Sequence, residues 1–125
     1  MLDQILYLRN DNYSKIEKGD LFSYKVYGKM SFADKKRIMY FQSNERKIKM
    51  FTVDGEDSFY NTINNLQVKF KEDGFIRIHK SCLVNCRYIK QFTYNKVFLY
   101  DGTELSVSRK YSKEAKEYLK KIFSK

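Results

Sequence analysis

A single histidine, His79, stands close in sequence to the chain's two cysteines, Cys82 and Cys86. Imidazole and thiolate are ligands that zinc favours, usually four to a site. Here the trio supplies three, at irregular spacing and with no second cysteine pair. A thiol nucleophile needs an imidazole base that is itself oriented by an acid, whereas the charges around Cys82 are mostly basic. The trio therefore reads as packing and hydrogen bonding: Cys82 and Cys86 as small buried apolar residues, His79 as a structural hydrogen-bonding group. Neither a glycine-rich dinucleotide fingerprint nor a phosphate-binding P-loop pattern occurs. The expectation is a non-enzyme with no metal and no cofactor.

The cations say more. The chain has 125 residues and a formal net charge of +10, from 25 Lys+Arg against 15 Asp+Glu. Residues 1–63 carry 11 basic and 9 acidic side chains, and residues 64–125 carry 14 and 6. Such an excess favours an anionic partner. Arg46 and Lys47 fall in a polar turn with Asn44, Lys80 precedes Ser81 after a short apolar run, and Arg109-Lys110 precede a final helical pattern. Loop-borne cations can enter a groove while neighbouring hydroxyls and backbone N–H groups hold phosphates. An arginine can read a guanine edge with two hydrogen bonds. Taken singly, each is equally well read as an ordinary solvated loop charge.

The elements that would position these residues are short. Phe22, Tyr24 and Val26 alternate with Ser23, Lys25 and Tyr27 until Gly28 breaks the run, which is strand patterning. Residues 38–42 form a second apolar run, and Ile48, Met50 and Thr52 alternate again before the hairpin signal Asp54-Gly55. Phe59, Ile63, Leu66 and Phe70 fall at helical spacing and predict one amphipathic helix over 59–70. Phe75, Ile76 and Ile78 form a strand, Leu83 and Val84 another. Residues 88–94 and 96–100 read as paired strands, and Asp101-Gly102 leads into 104–107. Tyr111, Ala115, Leu119, Ile122 and Phe123 share a face of a closing helix with Ser112 as its N-cap. With 21 Phe and Tyr, and with no long alternation of strands and helices, a β-rich single domain follows.

The run Phe75-Ile76-Arg77-Ile78-His79-Lys80-Ser81-Cys82-Leu83-Val84-Asn85 resembles the signature of the LytTR DNA-binding domain. Tyr88-Ile89 follows at the family's distance. Asp101-Gly102 and Leu105-Ser106-Val107-Ser108-Arg109-Lys110-Tyr111 resemble its second signature, and the likeness extends back through Tyr40-Phe41-Gln42-Ser43. Cys82 departs from the aromatic usual at its place. The resemblance implies a mostly β fold, with short strands in small sheets, one or two helices and a C-terminal helix. It implies a cytoplasmic transcription regulator that puts loops, not a recognition helix, into successive major grooves, with DNA bending. Carried over, Arg109 is the first base-contact residue and Lys80 the second, and Ser81 and Lys110 hold phosphates. The turn with Asn44, Arg46 and Lys47 makes a third contact. His79 and Asn85 hold local conformation. Double-stranded DNA is the implied partner, as paired direct repeats bound by two copies, a homodimer on DNA.

LytTR domains usually follow a receiver domain, so the chain is expected to be a stand-alone regulator or the output domain of a longer one. Residues 1–20 read as an N-terminal segment, a short helix or linker, and 21–125 as the LytTR-like domain. No run approaches the ~20 apolar residues of a membrane span, and no signal peptide is expected. Two rival readings stand beside this one. A single-stranded nucleic-acid module would stack bases on Tyr and Phe over a basic sheet. A protein-interaction or membrane-surface module would carry an incidental basic face.

Overall fold

A computed structural model describes residues 18–124. After a 3-10 turn at Lys18–Asp20, strands β1 (Leu21–Val26) and β2 (Lys29–Asp34) form a separate hairpin. Strands β3 (Ile38–Asn44), β4 (Lys47–Thr52), β5 (Gly55–Tyr60), β6 (Phe75–His79) and β7 (Cys82–Asn85) build an antiparallel sheet in the order β5-β4-β3-β7-β6. Helix α1 (Ile63–Lys69) joins β5 to β6. Strands β8 (Ile89–Phe92), β9 (Lys96–Leu99) and β10 (Glu104–Ser106) form a third small antiparallel sheet, and helix α2 (Arg109–Phe123) closes the domain. The fold is mostly β, with small sheets and two helices among the described residues, one of them C-terminal.

Each face of the five-stranded sheet carries a core, although on one of them Lys47 and Lys49 of β4 and Glu56 and Tyr60 of β5 stay exposed. On one side Phe22 from β1, Phe41, Ile48 and Phe59 from the sheet, and Ile63, Leu66 and Phe70 from the α1 region make one core. On the other, Tyr40, Ile76, Ile78, Cys82 and Val84 pack with Val97 and Leu99 from β9 and with Ala115 and Leu119 from α2. Period-2 alternation sends Leu83 into the first core and its neighbours Cys82 and Val84 into the second. In β3 a register shift between Ile38 and Tyr40 interrupts the alternation, so Ile38 and Phe41 serve one core while Met39 and Tyr40 serve the other.

Several elements differ from the sequence expectation. The helix expected over 59–70 is shorter: Phe59 and Tyr60 belong to β5, in full register with β4, and α1 begins only after Thr62. The Thr62 hydroxyl accepts from the Asn65 N–H at 3.1 Å, fixing that start. Phe59 shares a core with Ile63, Leu66 and Phe70, so the helical spacing reflected a common destination and not a common helix. Strand β2 carries no apolar alternation, since Met30 is exposed and Ala33 buried, and hairpin pairing with β1 makes it a strand. Helix α2 starts three residues before the expected cap. Ser108 occupies the N-cap position without a side-chain cap bond, and Ser112 lies inside the helix, donating from its hydroxyl to Tyr94 O at 3.0 Å. Of the face expected on α2, Ala115 and Leu119 are buried, whereas Phe123 is 63% exposed. The segment expected over residues 1–20 lies, except for Lys18–Asp20, outside the described residues.

Among the described residues one buried polar side chain, Asn85, ties the layers together. The Asn85 amide donates to Ile38 O at 2.9 Å and accepts from the Arg87 N–H at 3.0 Å, joining β7 to β3 and to the turn that follows. Asn85→Leu orphans both backbone groups, and chemical denaturation is expected to show a loss of about 2–4 kcal/mol. Burial pushes the Cys82 and Cys86 thiols up to about 12, far above the ~8.5 of an unfolded thiol. The folded form keeps both protons while the unfolded chain loses them, so this contribution is complete below pH ~8.5 and fades as pH rises toward 12. A plot of stability against pH should therefore fall less steeply above pH ~9 for Cys82→Ala than for the parent chain. Parallel slopes would show that Cys82 ionises as readily folded as unfolded.

Candidate nucleic-acid interface

Antiparallel pairing of β3 with β7 sets Gln42 opposite Cys82. The β3–β4 turn and the β6–β7 turn therefore leave the sheet side by side. The Ser43 N–H donates to Ser81 O at 2.8 Å, stitching them together. The Ser108 N–H donates to Ile78 O at 2.9 Å, which brings the start of α2 to the same edge. All seven residues singled out from sequence thus meet at one end of the central sheet. Asn44 and Lys47 form the last paired rung of β3 and β4, with Glu45 and Arg46 at the tip. Lys80 projects from the β6–β7 turn, with Ser81 half-buried beside it, and Arg109 and Lys110 open α2.

Arg46, Lys47, Lys80, Arg109 and Lys110 are all exposed, and none holds an ion pair among the described residues. Some cations elsewhere are paired with acids. Arg37 makes a two-pronged contact with Asp54 at 2.7 and 2.8 Å toward the opposite end of the sheet, which holds its guanidinium pKa above the ordinary value. Lys35 binds Asp73 at 3.0 Å. Arg109 and Lys110 are also misplaced by the rules of helix stability. The N-terminus of a helix carries partial positive charge and favours acids, by about 0.3–1 kcal/mol each, yet the first turn of α2 has none.

The residue that sequence reasoning missed is Arg77. Its guanidinium donates to His79 O at 2.7 Å and Lys80 O at 2.5 Å, and to Asn64 Oδ1 and Gln67 Oε1 on α1, both at 2.9 Å. It also lies 5.2 Å from the centre of the Tyr111 ring on α2. One side chain thus clamps the β6–β7 turn to both helices. The signal was a charged residue between buried Ile76 and Ile78: alternation turns Arg77 toward α1, away from the second core. His79 completes the turn. Its Nδ1 accepts from the Ser81 N–H at 3.2 Å and stands 3.0 Å from Ser81 Oγ. Acceptance at Nδ1 puts the ring proton on Nε2. Cys82 and Cys86 are core residues, as read from sequence, and no cluster of three metal-binding side chains occurs among the described residues.

Residues 28–120 match the family described as the LytTr DNA-binding domain. The chain belongs to that family. It is similar to the sensory transduction protein LytT of Bacillus subtilis (strain 168), with 34% identity over 92 residues, which is 69% of this chain and 38% of LytT. The chain thus spans well under half the length of that relative. Its fold is that of the LytTr DNA-binding domain of a Bacillus cereus response regulator. The two superpose with a TM-score of 0.65 at 19% identity, over 85% of this chain and 98% of the other. No helix among the described residues is long and apolar enough to cross a membrane. Within this LytTR domain, Arg77→Gln should cost about 1–3 kcal/mol. Hydrogen exchange should quicken at Lys80 and Ser81 while β4 and β5 keep their protection. Uniform quickening across the domain would deny Arg77 a local role.

Proposed function

We propose that the chain binds double-stranded DNA sequence-specifically as the output end of a transcription regulator, and that turns rather than a helix read the major groove. The observation that carries this reading is the set of five unpaired cations gathered on three hydrogen-bonded turns at one end of a rigid sheet. Unpaired cations in this arrangement release condensed counterions when they meet phosphates, which supplies affinity. Turns stitched by backbone hydrogen bonds hold their side chains in fixed register, which specificity requires.

Neither helix suits insertion. Helix α1 is seven residues long with Ile63 and Leu66 in the first core, and α2 is packed through its middle by Ala115 and Leu119. Only the first turn of α2 reaches the edge. In this reading Arg109 contacts a base edge and Lys80 a second, while Lys110 and Ser81 hold phosphates. The Ser81 hydroxyl, 3.0 Å from His79 Nδ1, is held in place by that ring and keeps its oxygen lone pairs and backbone neighbourhood at the edge. The turn carrying Asn44, Arg46 and Lys47 makes the third contact. Two copies on paired direct repeats, in the cytoplasm, complete the proposal. In this proposal residues 21–125 form the binding domain and 1–20 an N-terminal segment or linker. The single-stranded alternative needs a broad open sheet face with several stacking rings, whereas the five-stranded sheet is open only over β4 and β5 on one face, where Tyr60 is the one well-exposed ring.

Binding to duplexes selected from random sequence tests this. Affinity should fall steeply with salt. Arg109→Ala should weaken the selected duplex by about 1–3 kcal/mol while affecting random duplex less. Lys110→Ala should weaken both equally and flatten the salt dependence by about one unit of log–log slope. Tighter binding to single strands than to duplex would overturn the reading.

A further inference from the structure

The β1–β2 hairpin turns through Tyr27 and Gly28, both at positive φ, 53° and 78°, between the paired residues Val26 and Lys29. This is the geometry of the tight hairpin turn that favours Asn-Gly. Glycine suits it and tyrosine does not, because left-handed backbone crowds a Cβ and costs stability. Packing does not offset that cost, since Tyr27 is 98% exposed. A large aromatic ring is therefore held at a strained tip, out in solvent. Strain of this kind, kept without an internal return, points outward to a ligand.

The position of the tip indicates which ligand. A groove of Lys25 and Tyr27 on the hairpin side, and Lys47, Tyr60, Asn61 and Lys69 on the other, runs beneath it. The Lys47 ammonium lies 5.8 Å from the Tyr60 ring centre, and the Asn61 N–H donates to Arg46 O at 3.0 Å. The groove is thus continuous with the β3–β4 turn and extends the basic edge past it. Of its two acids, Asp57 accepts from the Tyr24 hydroxyl within the groove at 2.6 Å, and Glu56 is drawn to Lys49 at 3.7 Å, so Lys25, Lys47 and Lys69 outnumber them. Lys25, Lys47 and Lys69 hold no ion pair among the described residues.

We propose that the hairpin tip and this groove hold the sugar-phosphate backbone of the duplex beside the stretch that the three turns read. Tyr27 supplies ring and hydroxyl contacts, and Lys25, Lys29 and Lys69 supply charge. The proposal rests on the DNA-binding reading above and adds a fourth contact to it. The family match begins at residue 28, so β1 and Tyr27 are assigned from this chain's own residues.

Tyr27→Asn installs the favoured Asn-Gly pair, so structure and binding should move in opposite directions. The melting temperature is expected to hold or rise. Affinity for a selected duplex with long flanks should drop roughly three- to tenfold, with none lost on the same duplex trimmed to the core site. Lys25→Gln with Lys29→Gln should lower the log–log salt slope on the flanked duplex by about one to two, and nuclease protection should retract from one flank. Unchanged affinity and protection on the flanked duplex overturns the proposal. Equal losses on both duplexes place the tip on the core site and overturn the flanking assignment. Failure of the unmutated chain to bind any duplex sinks the DNA reading itself, and this inference with it.

Discussion

Strand β7 imposes the constraint from which the rest follows. All four of its residues, Cys82–Asn85, are buried. It lies between β3 and β6, with side chains entering a separate core on either side. A strand so placed closes both sheet faces around itself, and at this part of the sheet function is driven to the ends, where turns emerge. The Asn85 amide meets the one polar demand this creates by bonding backbone groups on both sides of itself. The hairpin and α1 cover one face, and the third sheet and α2 cover the β3-β7-β6 part of the other. The basic turns stand at an end that this arrangement leaves open.

The turns are held by short-range bonding, and this decides what they can do. Ser43 to Ser81, Ser108 to Ile78 and the Arg77 clamp are contacts between backbone groups, or from a side chain to backbone carbonyls. They constrain the turns without consuming the side chains at their tips. Lys80 illustrates the division: its carbonyl accepts from Arg77 while its ammonium carries no ion pair among the described residues. A flexible cationic tail would have similar charge but no register, and charge without register binds DNA without reading it.

Much of this was readable in the sequence because strand patterning and turn residues are local. Phe22, Tyr24 and Val26 announced β1, Ile48 and Met50 announced β4, and the three Asp-Gly steps fell at turns. What escaped depended on partners remote in the chain. Lys29–Asp34 is a strand because β1 lies beside it, and Phe59 belongs to β5 because β4 fixes its register. Arg77 was visible as part of a motif, but its partners sit on two helices that no local pattern could bring to it. The resemblance named Arg109 and Lys80 together; only the antiparallel pairing of β3 and β7 shows why the turn at 44–47 stands beside them.

The unfavourable charges at the start of α2 carry an evolutionary consequence. Acidic residues at positions 109 and 110 would suit the helix better, so a drift toward greater thermal robustness runs against the basic edge. Selection acting on folding alone would erode that pair first, and with little penalty, because both side chains are exposed. Their persistence in any descendant of this domain would mark a continuing demand for an anionic ligand, and their exchange for acids would mark a domain released from that task.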